Sequence, residues 1–142
     1  FQKLPLNRAT FLVAASWFAV ITWVVTICVL SSMSGQDINK MAPAFWDKGA
    51  HFIAFAAGAV ALTTALRLTT EWSWRRVILV AIIALSAFGA ADEYHQRFTP
   101  GRTGADVQDW MADALGAAAG AIATYLIYGR FSRKSAPAPA GD

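Results

Sequence analysis

Four stretches of the chain are almost unbroken runs of apolar residues, over residues 11–30, 49–66, 77–91 and 110–128, and the polar residues gather between them. A helix rising about 1.5 Å per residue needs roughly 20 apolar residues to cross the hydrocarbon core of a bilayer. The first and last runs reach that length. The third reaches it if Arg75 and Arg76 snorkel at one end while Asp92 and Glu93 sit just within the interface at the other. Trp46, Trp72, Trp74, Trp110, Tyr125 and Tyr128 fall at the expected helix ends, where amphipathic rings prefer to lie. The pattern predicts an all-α, polytopic membrane protein, a compact bundle of four transmembrane helices over residues 11–131. A segment at 1–10 precedes it, and an Ala/Pro-rich tail at 132–142, with nothing to bury, is expected to be disordered.

The first run also has a leader-like feature, since Lys3 and Arg8 precede it and Ser32-Met33-Ser34 offers small residues after it. Its apolar length favours a span. Lysine and arginine near span ends stay on the cytoplasmic side. One side carries Lys3, Arg8, Arg67, Arg75, Arg76, Arg130, Arg133 and Lys134, and the other only Lys40, Lys48, Arg97 and Arg102. Both termini are therefore expected in the cytoplasm of a bacterial cell (inner) membrane protein, with the acidic loops on the outer side.

Composition agrees with this picture, for the chain is 56% hydrophobic and 15% charged. The net charge of +3 does not indicate nucleic acid, because the basic residues lie in short clusters between apolar runs. A single cysteine, Cys28, excludes an intrachain disulfide and reads as a small apolar filler within the first run.

The chemistry is concentrated at the outer side. Asp47, His51, Phe55, Gly58 and Leu62 recur at helical intervals, placing His51 one turn below Asp47. A carboxylate-supported imidazole can move protons or hold a ligand, and the simpler reading is a helix start with a satisfied histidine. After the third run, Asp92, His95 and Gln96 fall at helical spacing if the helix continues for another turn, with Glu93 turned about 100° away. Adjacent carboxylates suit acid–base chemistry or a divalent cation, or are simply hydrated acids neutralised by Arg97 or Arg102. Thr99-Pro100-Gly101 forms a turn that aims Arg102, whose planar fork suits phosphate, carboxylate, or an internal clamp on the acids.

On the fourth run, Asp106, Asp109, Asp113, Gly116 and Gly120 make one stripe, acidic above and small-xxx-small below. Thr103-Gly104-Ala105-Asp106 matches a capping box. Asp113 is expected to pair with His51 or Arg102, to bind a cation, or to be protonated. The glycine stripe serves contacts within the bundle or between copies. The gathering of polar residues at one side speaks against a proton-coupled transporter, which needs a route through both halves.

Asp47-Lys48-x-x-His51-Phe52-x-x-Phe55, followed by Asp92-Glu93-x-x-Gln96-x-Phe98-x-Pro100-Gly101-Arg102 with Asp106, Asp109 and Gly116, resembles the VanZ-like family of membrane proteins. The resemblance covers about residues 31–120 and rests on the order and spacing of these elements across two loops. It implies a compact helical membrane domain, and the family name is tied to glycopeptide, chiefly teicoplanin, resistance. The polar signature it points to comprises Asp47, Lys48, His51, Asp92, Glu93, Gln96, Arg102, Asp106 and Asp109. Asp113 stands where asparagine or aspartate is expected, and Phe55 where tyrosine is frequent.

Together these readings make the expected function that of a cell-envelope protein whose outer-side site engages membrane lipids, as an anionic head group, or a lipid-linked cell-wall precursor. Arg102 would hold phosphate or carboxylate, with Asp47, Lys48, Gln96, Asp106 and Asp109 completing the ligand site. Asp92, Glu93, Asp109 and Asp113 would hold a divalent cation or share protons. If the site is catalytic, its residues are His51, Glu93 and Asp92, with His51 or Glu93 as general base. The rival is a non-catalytic accessory protein whose polar cluster is a recognition surface or a lock between helices.

Overall fold

A computed structural model of the chain describes residues 8–41 and 47–134, with side chains through Tyr128. The chain is all-α, with helices α1 (Arg8–Ser32), α2 (Gly35–Met41), α3 (Asp47–Thr69), α4 (Trp74–Gln96) and α5 (Val107–Lys134). The expected tail beyond residue 134, Trp46 and the segment before Arg8 lie outside the described residues. α5 itself continues helical to Lys134, past the expected boundary at 131.

Four helices, α1, α3, α4 and α5, are long and apolar enough to cross a membrane, and together they account for the four apolar runs. The third run, the short one, becomes a 23-residue helix because the backbone stays helical through Arg75 and Arg76 at one end and through Asp92 to Gln96 at the other. Ser73 starts it by accepting a hydrogen bond from the Arg76 amide. α2 is an addition to the expected four helices. Its start is set by Ser34, whose hydroxyl accepts from the Asp37 amide and donates to the Asp37 carboxylate. That hydroxyl, with Lys40, holds Asp37 below the ordinary carboxylate range.

Side-chain contacts fix the relative directions. α1 and α3 run antiparallel, because Trp23 of α1 meets Ala54, Phe55 and Gly58 while Ser31, two turns later, lines a cavity with Ala50 and His51. α3 and α5 run parallel and make the most extensive pair in the bundle. Their approach is backbone to backbone: a Cβ added to Gly116 would lie 2.2 Å from the Phe52 carbonyl oxygen, and one on Gly120 would lie 2.2 Å from that of Ala56. The glycine stripe therefore serves the inside of the bundle.

Between these helices lies a small apolar core of Phe55, Ala59, Ala81, Leu85, Ala117 and Ala121, covered by Trp23 and Phe88. The indole of Trp23 meets Phe55 edge-on at 5.3 Å, sits against Gly58, and donates Nε1–H to the Ala54 carbonyl. α1 is otherwise thinly packed, with Phe11, Phe18, Ile21, Val25 and Val29 pointing outward as lipid-facing residues do. Cys28 is also on that outer surface rather than filling the core. At the opposite end from the polar site, Trp74 meets Tyr125 edge-on and Tyr128 at a tilt, and Arg67 lies over the Trp74 ring.

Gly116→Ala and Gly120→Ala should each destabilise the bundle by about 1–3 kcal/mol, because the new methyl meets a carbonyl that only a helix displacement can clear. Ala119→Leu, on the exposed face of the same helix, should stay within about 0.5 kcal/mol of wild type. Thermal unfolding in detergent measures both.

Candidate functional site

At one end of the bundle, the parallel α3 and α5 bring two helix N-termini together, each carrying the positive end of its dipole. Asp47 begins α3, and Asp106 precedes Val107, the first residue of α5. Asp106 is itself the cap: its Oδ1 accepts from the Gln108 amide at 2.8 Å, so the expected box starting at Thr103 gives way to a cap three residues later. That bond, first among its contacts, keeps Asp106 below the ordinary carboxylate range, so the cap stays charged well into the acid range.

Two Glu93 oxygens pin the chain as it enters α5. Its backbone carbonyl accepts from Ala105 N–H at 2.9 Å, and its side-chain Oε2 accepts from Asp106 N–H at 2.9 Å. The turn demands Gly104 at φ +53°, where a Cβ would meet the Arg97 amide at 2.4 Å, and it places Ala105 at φ +56°, a costly setting for a residue with a side chain. The same loop docks on α1 and α2. Thr99 donates its hydroxyl to the Ser31 carbonyl, and the Pro100 carbonyl accepts from Gly35 N–H at 3.0 Å.

Each side chain singled out in the sequence now has a definite place. Lys48 pairs with Asp109 and lies 3.3 Å from Asp106. His51 donates Nδ1–H to Asp113 Oδ1 at 2.9 Å, and its Nε2 is 4.0 Å from Asp109 Oδ2. Asp113 is fully buried, and the absence of a side chain at Gly89 makes its space: a Cβ there would lie 2.8 Å from Asp113 Oδ2. Of the two side-chain partners open to Asp113, His51 rather than Arg102 is the one it meets.

Arg102 does not clamp the acids directly. Nε and Nη2 both donate to the amide oxygen of Gln96, at 3.1 and 2.7 Å, and Gln96 in turn donates to Asp92 Oδ2 at 2.9 Å. Among the described residues Arg102 makes no ion pair with a carboxylate. The relay joins Asp92 and Gln96, one helical turn apart, and separates Asp92 from Glu93, which faces His51 and Asp113. A ring nitrogen of His51 and one carboxylate oxygen each of Glu93 and Asp113 lie within 4.8 Å of one another, and the same holds for Asp47, His51 and Asp109. Asp92 belongs to neither group, so Asp92, Glu93, Asp109 and Asp113 are not gathered as one four-carboxylate set.

Beside the carboxylates is a cavity of about 130 Å³ between α1, α2, α3 and α4. Asp47, His51, Asp92, Gln96 and Arg102 give it a polar side, while Ile27, Leu30, Ile38, Ala54 and Phe55 give it an apolar one. Three contributors were not visible as site residues: Gly89, Ser31 and Ile38. Trp23, which holds α1 against Phe55 and Gly58 outside the site itself, did carry a signal, since a tryptophan in mid-span lies away from the interfacial belt. For Gly89 there was none, because its role depends on Asp113 approaching from another helix.

His51→Ala should cost about 3 kcal/mol or more, because it strands the buried Asp113 carboxylate, and His51→Ala/Asp113→Ala should recover part of that loss. A double-mutant cycle on thermal unfolding in detergent reads the coupling.

No curated protein and no solved structure matches the chain. The VanZ/LLP1 family model matches residues 8–128, a stretch that takes in all four candidate spans, the turn through Pro100 and Gly101, and every polar residue of the site. The chain thus belongs to the VanZ/LLP1 family of membrane proteins.

Proposed function

We propose that this chain is a cell-envelope protein whose polar site faces the outer side of a bacterial inner membrane and engages an anionic lipid head group, or the head group of a lipid-linked cell-wall precursor. The observation that carries this reading is the two-sided cavity, in which a guanidinium and an apolar wall border the same 130 Å³ space. A polar head joined to a hydrocarbon tail needs that combination. Arg102 supports the reading because its partner is a neutral amide oxygen, which positions the guanidinium while leaving its charge uncompensated. The excess of lysine and arginine at the opposite ends of the spans supports the orientation, with both termini cytoplasmic.

A second reading, a recognition or locking module without turnover, is favoured by the internal partnering of Lys48 with Asp109, His51 with Asp113, and Gln96 with Asp92. If lipid is turned over instead, His51 or Glu93 is the base that activates water, since both border the buried carboxylate group.

Native mass spectrometry in detergent should find phosphatidylglycerol and an isoprenoid phosphate retained in preference to phosphatidylcholine. Arg102→Ala should weaken that retention roughly tenfold, the worth of one hydrogen bond to a charged group, while thermal unfolding remains near that of wild type. Equal retention of charged and zwitterionic lipids would defeat the head-group reading. An Arg102→Ala chain that no longer folds would make the arginine a structural clamp. In the same incubations, a new lipid mass made by wild type and lost in Glu93→Gln assigns turnover, and an unchanged retained lipid in both assigns the module without it.

A further inference from the structure

The head-group reading uses one side of His51, the side bordering the cavity. Its other side meets a buried pair of carboxylates, and there two oxygens stand out. Glu93 Oε1 and Asp113 Oδ2 are buried and have no hydrogen-bond partner among the described residues. Glu93 is 4% exposed and Asp113 0%, so neither is reached by bulk solvent. A buried oxygen without a donor is costly, and it persists when something supplies the missing positive partner.

The nearby cations are already engaged. Lys48 serves Asp109 and Asp106, and Arg102 serves Gln96. The carboxylates of Glu93 and Asp113 share only His51, and a single imidazolium would leave the trio with a net negative charge in a low-dielectric setting. A neutral imidazole with a divalent cation leaves it balanced. Spacing agrees with that account: the three donor atoms lie within 4.8 Å of one another, and a cation bound at about 2.0–2.2 Å draws its ligands to roughly 3 Å apart, a contraction that side-chain rotation supplies. His51 Nδ1 and Asp113 Oδ1 are already at 2.9 Å, and the proton that now joins them is released when the ion takes its place.

We propose that His51, Glu93 and Asp113 form a binding site for one first-row divalent cation of the Zn²⁺ or Mn²⁺ class. The donor set selects that class. An imidazole with two carboxylates suits these ions, whereas Ca²⁺ wants six to eight oxygens and Mg²⁺ keeps most of its waters. Three protein ligands leave at least one position open, and His51, by lining the cavity, gives the ion a way in from the polar mouth. The alternative group of Asp47, His51 and Asp109 competes for the same imidazole, but Lys48 already holds Asp109 and Asp47 is exposed.

The test uses full-length protein purified through a histidine-free tag, stripped with chelator, reloaded separately with Zn²⁺, Mn²⁺, Mg²⁺ or Ca²⁺, desalted, and analysed for metal content. Wild type should retain about one Zn²⁺ or Mn²⁺ per chain and little Mg²⁺ or Ca²⁺. His51→Ala and Glu93→Gln should retain roughly tenfold less or lower still, and Asp47→Asn and Arg102→Ala should keep the wild-type amount. Retention by Arg102→Ala alongside its loss of anionic lipid separates this site from the head-group reading. Wild type that holds no more metal than a desalted blank overturns the proposal without reference to any variant, as does full retention by folded Glu93→Gln. Loss of metal in Asp47→Asn overturns it in favour of the alternative group.

Discussion

The structure depends on how closely α5 approaches α3. Gly116 and Gly120 sit against the carbonyls of Phe52 and Ala56, at a separation no larger residue permits. Since lipid chains are as apolar as leucine, burial of hydrocarbon gives little reason for two spans to associate; close packing has to supply it. The two helices are parallel, so the same contact that joins them also brings their N-termini to one end of the bundle. His51 meets Asp113 and Lys48 meets Asp109 as a consequence of that register.

Two converging dipole ends make that end of the bundle tolerant of acids, and the structure places Asp47, Asp106 and Asp109 there. The cations are not spent evenly. Lys48 takes the two aspartates nearest the start of α5, while Arg102 binds an amide and reaches Asp92 only through Gln96. Glu93 carries a mechanical role as well as a chemical one, since its backbone and one side-chain oxygen hold the turn that begins α5. Its other oxygen and one from Asp113 are buried with no hydrogen-bond partner among the described residues.

α1 contributes differently. It touches the rest of the bundle through few residues, and Trp23 is the chief of them, wedged between Phe55 and Phe88 with its indole over Gly58. Beyond Trp23, its far end walls the cavity through Ile27, Leu30 and Ser31. A helix held mainly by one aromatic wedge and one docked turn gives the cavity an apolar wall next to lipid.

Much of the fold was legible in the residues themselves, because a bilayer imposes length and apolarity on any segment that crosses it, and the family resemblance lay in local motifs. The helical face joining Asp47 to His51 and the small-xxx-small stripe at Gly116 and Gly120 were readable from periodicity, whereas the face shared by Asp92 and Gln96 depended on α4 continuing another turn, as it does. Periodicity describes one helix at a time, however. It could not say that Asp113 would find His51, that Gly89 would make room for it, or that Asp92 and Glu93, adjacent in the chain, would face different partners. Nor could it separate a capping box at Thr103 from the cap formed by Asp106, because Glu93 on another helix decides where α5 begins. The sequence by itself determined which segments enter the membrane and which polar residues lie at their ends. Only the packing of α3 against α5 decided how those residues combine, because charges act over a few ångströms and such distances are set between helices.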